Sequence, residues 1–162
     1  MNMSLRHPLA AACLALATLS ISGLAHAADT VVSVAAQSPE LSTFSRLVKQ
    51  AGLDSTLSSG AFTVFAPSDD AFKAVPADKL DALAKDPEQL KALLTYHVLS
   101  GKTAASAVAE NSTPATVNGA KLALSRAGDF VTVDDAMVTK ADVAAGDSVV
   151  HVIDRVLTPP KK

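Results

Sequence analysis

Near its C-terminus the chain reads VVHVIDRVL, Val149 to Leu157, and this run is apolar on both faces that an extended segment presents. Side chains of a strand alternate between opposite sides, so such a stretch suits a central strand covered on both of them. Pro159-Pro160 end the run, and Lys161-Lys162 read as a frayed tail. The cover comes in two styles, with an α-rich front half and a β-rich back half. The expected class is α+β, in one domain.

The first residues stand apart. Arg6 and His7 precede an apolar run from Leu9 to Leu24 that closes on Ala25-His26-Ala27, the pattern of a secretory leader cut before Ala28. The run is short for a membrane span, nothing later could cross a bilayer, and Cys13 lacks the preceding apolar stretch that a lipid anchor needs. Removing 27 of 162 residues leaves 135 and takes Arg6 from 14 basic side chains, giving 13 against 16 acidic and a net charge of −3. A mildly acidic surface argues against nucleic acid or an anionic membrane as partner. Residues 28–162 contain no cysteine, so stability in an oxidising compartment must come from the core alone.

Periodicity and punctuation place the elements. Thr30 to Ala36 fits helix or strand. Ser38-Pro39-Glu40 reads as a helix start, followed by Leu41, Phe44, Leu47, Val48 and Ala51 at helical spacing until Gly52. Ser58-Ser59-Gly60 is a loop, Phe62 to Phe65 a strand leaving through Ala66-Pro67, and a short helix runs from there to Pro76. Leu80 and Leu83 mark another helix, and Asp86-Pro87-Glu88-Gln89 opens a third with a capping-box pattern. On it Leu90, Leu93, Leu94 and His97 share one stripe, which buries His97. His97-Val98-Leu99 then runs as a strand into a Ser100-Gly101 turn. Asn118-Gly119 predicts a hairpin between Thr116-Val117 and Lys121 to Leu124, with further strands at Phe130 to Val133 and Ala136 to Val138.

In FTVFAPSDDAF, Phe62 to Phe72, the acids could react or build. Pro67 cannot continue a ladder, Ser68 or Asp69 caps the next helix, and the remaining carboxylate lies against its positive end, with Phe72 turned inward. The building role uses every residue. This segment resembles the first homology block of the fasciclin domain family, Tyr96-His97 its central Tyr-His pair, and VVHVIDRVLTP, Val149 to Pro159, its second block. The resemblance spans residues 28–162 and implies a helix-decorated, wedge-shaped β-sandwich in an extracytoplasmic protein, in a family associated with adhesion and matrix or cell-surface interactions. Where the family has Asn-Gly before the second block, this chain has Asp147-Ser148, and Ser does not readily take the left-handed turn that Gly tolerates. In animal adhesion members an Asp-Ile pair slightly upstream is implicated in receptor binding, and Asp142-Val143 stands at its position. The plainer reading of that pair is an exposed acid beside a core valine.

Pro67, Ser68, Asp69, His97, His151 and Asp154 are read as structural members of these motifs. His97, buried, needs a hydrogen-bond partner, and Ser68 or Asp69 is the expected one. A haem or metal site would have to draw on His97, His151, Tyr96, Met137 or carboxylates, without motif spacing between the histidines, so neither is expected. No Gly-x-Ser-x-Gly elbow, His-Glu-x-x-His or dinucleotide loop occurs, and Gly101-Lys102-Thr103 lacks the leading Gly of a phosphate loop because position 96 is Tyr. A triad of Ser68, His97 and a distant acid would need an exposed nucleophile. Asn111-Ser112-Thr113 satisfies a glycosylation sequon in an expected surface loop. The resulting expectation is a secreted, non-catalytic binding module for a protein or matrix component. It needs no cofactor, is a monomer or weak homo-oligomer, and uses Asp142, Val143 and the outer side of the Tyr96-His97 strand as contact face. A small-molecule binder with a cleft between sandwich and helices is the competing class.

Overall fold

The computed structural model describes residues 30–159. The expected leader, Cys13 and the Lys161-Lys162 tail lie outside the described residues. Six helices are present there: α1 (Val31–Gln37), α2 (Ser42–Gln50), α3 (Asp54–Ser58), α4 (Asp69–Lys73), α5 (Ala77–Lys85) and α6 (Pro87–Tyr96). Seven strands accompany them: β1 (Phe62–Pro67), β2 (Val98–Ser100), β3 (Asn111–Ser112), β4 (Leu124–Ala127), β5 (Phe130–Val133), β6 (Ala136–Ala145) and β7 (Ser148–Ile153).

The ambiguous Thr30 segment resolves as helix. Thr30 caps α1 by accepting from the Ser33 N–H at 3.2 Å, and Val31, Val32 and Ala35 go into the core. Branched residues favour strands locally, but burial against neighbouring helices overrides that preference. Ser38 precedes a 3-10 turn, Pro39–Leu41, rather than the helix itself, and its side chain makes no capping bond. At α6 the expected cap is present, with Asp86 accepting from the N–H groups of Glu88 (3.1 Å) and Gln89 (3.2 Å).

The strands run in the order β2-β1-β7-β6-β5-β4-β3, with β1 and β7 parallel and every other neighbouring pair antiparallel. Strand β7 is central, as its two apolar faces require. Val150 and Val152 pack into one core, whose helical side holds Phe44, Val48, Leu90 and Leu94. Ile153 packs into the other, with Phe65, Tyr96, Leu99, Leu122 and Val133. The strand ends at Ile153, earlier than the apolar run suggested. Leu157 is still buried in the second core, but outside the ladder.

Three expectations change in the back half. Asn118-Gly119 does reverse the chain: Gly119 has φ +84°, and the Thr116 N–H donates to the Ala120 carbonyl at 2.8 Å. The flanks form only a single bridge, Ala115 with Lys121, and regular strand begins at Leu124. Strand β6 is longer than expected, because β5 pairs with its first two residues and β7 with the rest. The sequon lies on short strand β3 rather than in a loop, with Asn111 exposed and opposite Ser125. From there the chain reaches β2, where Thr116 pairs with Leu99 and the Val117 N–H donates to the Val98 carbonyl at 2.8 Å. One segment thus bonds to both ends of the strand order, shielding edges that would otherwise invite pairing.

Candidate functional site

Ser68 and Asp69 build. Ser68 accepts from the Ala71 N–H at 3.2 Å and caps α4. Asp69 reaches another helix, accepting from the Ser42 hydroxyl at 2.7 Å and the Thr43 N–H at 2.9 Å. The start of α2, which Ser38 does not cap, is therefore capped by a residue 26 positions downstream of Thr43. Burial pushes the Asp69 carboxyl upward, but the bonds from Ser42 and Thr43 outweigh it and hold the group below its ordinary value. Asp70 pairs with Lys73 at 2.8 Å on the exposed side.

His97 has partners other than those expected. Its side chain is wholly buried, Nδ1 donates to the Leu93 carbonyl at 2.7 Å, and Nε2 accepts from the Leu157 N–H at 2.9 Å. The Leu157 N–H must donate, so Nε2 is unprotonated and the ring's one proton sits on Nδ1. Burial lowers the His97 pKa to about 4, the bond to the Leu93 carbonyl opposing it. The expected bridge to Ser68 or Asp69 is replaced by one to the segment after β7. Tyr96 closes α6 with 3% exposure, its ring edge-on to His97 at 6.5 Å. Burial, and then the charge of Asp134, raise its hydroxyl pKa. An outer contact face of Tyr96 and His97 is ruled out by this burial, because both side chains fill the interior. Ser68 and His97 have separate partners, so no triad is assembled.

Asp142 and Val143 occupy a different setting. Strand β6 slips register twice, between Val138 and Lys140 and between Lys140 and Val143, and Asp142 sits in the second irregularity with φ +55°. Asp tolerates the left-handed region better than most residues, but the conformation persists only where neighbours impose it. Here they do. The Asp142 N–H donates to His151 Nδ1 at 3.1 Å, and its carboxylate accepts from the Ala105 N–H at 2.8 Å. His151 Nε2 in turn donates to the Thr103 carbonyl at 3.1 Å, while Thr63 donates to the Gly101 carbonyl (2.8 Å) and accepts from the Thr103 N–H (2.7 Å). The result is an exposed carboxylate on a bulged strand, beside a loop, 101–105, clamped from beneath by two buried polar side chains. Val143 is half-buried and paired with Val150. Sequence patterning missed the clamp, since Thr63 and His151 look like ordinary strand residues.

At the following turn, Gly146 with φ +61° supplies the left-handed residue. Ser148 is thereby free to bond elsewhere, and its buried hydroxyl donates to the Gly60 carbonyl (2.9 Å) and accepts from the Phe62 N–H (3.1 Å). Asp154 accepts from the Met137 N–H at 2.8 Å, closing the β6–β7 ladder at its far end. Met137 and Phe130 are exposed, by 45% and 65%, on the outer face of β5 and β6. Between α2 and α5 lies a hollow of about 330 Å³ lined by Leu47, Leu80, Leu83 and Leu90, with Arg46 and Asp81 among its walls. Among the described residues no group of three His, Cys, Asp or Glu side chains converges on a metal position, and no helix is long and apolar enough to cross a membrane.

Residues 39–159 match the fasciclin domain. The chain belongs to the fasciclin domain family. Protein sll1483 of Synechocystis is 42% identical over 136 residues, which cover 82% of this chain and 75% of that protein. Immunogenic protein MPB70 of Mycobacterium bovis is 36% identical over 146 residues, covering 87% and 74%. Cell surface glycolipoprotein MPB83 of the same species is also 36% identical over 146 residues, covering 87% of this chain and 64% of its own length. Among solved structures, a FAS1 domain pair from the insect cell adhesion molecule Fasciclin I superposes with a TM-score of 0.59 at 24% identity, over 73% of this chain and 45% of that one. That likeness is one of fold. In it the two fasciclin homology blocks become β1 and β7, parallel neighbours in register from Thr63 opposite Val149 to Pro67 opposite Ile153. The Tyr-His pair lies at the end of α6, where His97 holds Leu157, a residue of the second block beyond the end of β7.

Proposed function

We propose that this fasciclin protein is a secreted, non-catalytic binding module that contacts a protein or matrix component at a cell surface. The observation that carries the reading is Asp142, an exposed carboxylate held in a strained backbone conformation by a buried histidine and a clamped loop. Polar groups that a catalyst would use are consumed by structure: Ser68 and Asp69 cap helices, and His97 has both ring nitrogens bonded inside the protein. A rigidly held carboxylate beside a half-buried, clamped loop has little ordering entropy left to lose on binding, which favours recognition. Membership of the fasciclin family and similarity to a cell surface glycolipoprotein support an extracytoplasmic setting.

The test uses two variants. Asp142→Asn keeps the side-chain acceptor and the tolerance for positive φ but removes the charge; Asp142→Ala removes both charge and acceptor. In a cell-surface or matrix attachment assay with residues 28–162, Asn should weaken binding at least about tenfold, as loss of a central charged contact does, while Tm stays unchanged. Attachment equal to wild type in both variants removes Asp142 from the contact and sinks this reading.

The hollow beneath α5 favours a second reading, a small apolar ligand, since its volume sits at the low end of ligand pockets. Haem fits poorly among the described residues, because His97 and His151 each have both ring nitrogens already bonded. Native mass spectrometry of protein from its source separates the readings: a bound small molecule supports the hollow, and its absence together with surface attachment supports Asp142.

A further inference from the structure

His151 has 1% exposure and stacks on Phe65 with ring centroids 5.5 Å apart. Its hydrogen bonds leave one protonation state. Nδ1 accepts from the Asp142 N–H and so carries no proton, and the ring's one proton is on Nε2, pointed at the Thr103 carbonyl. A second proton has only Nδ1 to occupy, and there the Asp142 N–H already points. Two donors would then face each other across 3.1 Å. An acceptor of the right charge is adjacent, the Asp142 carboxylate, whose charge already favours a protonated ring, but it is held by the Ala105 N–H.

We propose that His151 and Asp142 form a proton switch that gates the exposed corner. In the neutral state Asp142 keeps its left-handed turn and pins loop 101–105 through Ala105. When Nδ1 takes a proton from solvent, the Asp142 N–H loses its acceptor, the backbone relaxes out of the φ +55° conformation, and the carboxylate turns from Ala105 to the imidazolium. The neutral bond from the Asp142 N–H, the bond from the Ala105 N–H to the carboxylate and one strained residue are exchanged for an ion pair. The loop keeps its ties to Thr63 and loses the one that fixes it to β6. As a gate on recognition this rests on the binding role proposed for Asp142; as a conformational step it does not.

The surroundings decide where the switch acts. Burial lowers the His151 pKa below its ordinary value, with the bond to Thr103 and the Asp142 charge opposing, so the neutral, pinned state prevails at neutral pH and the change comes in acid. Other charged groups nearby are engaged elsewhere or point outward. On β6, Lys140 pairs with Glu40 at 2.7 Å; from β4, Arg126 donates to the Ser106 carbonyl at 2.8 Å; Lys102 is exposed on the loop itself; and β1 presents uncharged Phe65 and Thr63. Asp142 is thus the charged partner with which the ring trades bonds.

The experiment is an NMR titration of the intact chain from neutral to acid pH, following the His151 ring and the amide exchange of Asp142 and Ala105. Ala105 should lose about tenfold or more of its exchange protection with the same midpoint as His151. Asp142→Gly, which keeps the backbone N–H and tolerates positive φ but lacks the carboxylate, should show Ala105 already unprotected at neutral pH, with no acid step. The proposal is overturned by an Ala105 amide that stays protected through the His151 titration, by an acid step that persists unchanged in Asp142→Gly, or by a His151 ring that stays neutral until the whole chain unfolds. A switch that operates while surface attachment ignores pH would refute the binding role of Asp142 and leave the conformational step standing.

Discussion

The described residues include two buried histidines in contrasting settings. His97 joins two interior segments, the end of α6 and the chain after β7, and both of its bonds lie inside the core. His151 joins a central strand to an exposed bulge and a half-buried loop. Both accept from a backbone N–H and donate to a backbone carbonyl, so the chemistry of the two rings is the same. What differs is which bond would give way. Protonating His97 orphans the buried Leu157 N–H and burdens the whole fold, whereas protonating His151 can be relieved by moving a surface residue. The contrast teaches that the same side chain serves as a bolt or as a latch according to what lies beyond its second nitrogen.

The largest effect that would break this comparison is at the bolt. His97→Ala removes a fully buried ring and strands the Leu157 N–H, so urea unfolding should show a loss of about 3 kcal/mol from cavity and lost hydrogen bond together. An unchanged Tm would remove His97 from the structural locks. Acid should act through the same group. The folded His97 pKa of about 4 lies below the unfolded value of 6.5, so the unfolded chain binds the proton first. Stability is therefore complete above pH 6.5 and falls as pH drops toward 4, by up to about 3 kcal/mol. His151 contributes in the same direction. Urea midpoints measured at about pH 7, 5.5 and 4.5 test the sign, and a midpoint that rises on acidification contradicts it.

Smaller effects sharpen the contrast between interior and surface. Ser148→Ala strands the Phe62 N–H and the Gly60 carbonyl where β1 and β7 begin, and should cost about 1–2 kcal/mol by thermal or urea denaturation. Ser68→Ala removes a single cap and should cost about 1 kcal/mol. At the weak end, Asp70→Asn breaks only the exposed pair with Lys73 and should leave Tm where it was, because solvent screens such pairs. A drop as large as that of Ser148→Ala would show that surface polar groups carry more of this fold than their exposure allows.

Much of the fold was legible in the residues. The apolar run at Val149 announced the central strand, Asp86 to Gln89 announced a cap, and the Leu90, Leu93 and Leu94 stripe announced the burial of His97. The misreadings share a cause. Ser38 looked like a cap, but the bond at the start of α2 comes from Asp69, and His97 found Leu157 instead of a nearby acid. The outward Tyr96-His97 face vanished because α6 runs on through Tyr96 and turns both rings inward.

Local pattern determined which segments extend, which coil and where each stops, because propensity, capping and alternation act over a few neighbouring residues. Tertiary structure alone decided which distant groups meet: Asp69 with Ser42 and Thr43, Leu157 with His97, and the bulge at Asp142 with the 101–105 loop. A donor is satisfied equally well by many acceptors, so the sequence states that each buried polar group needs a partner, and only the packing of helices against the sheet selects which one.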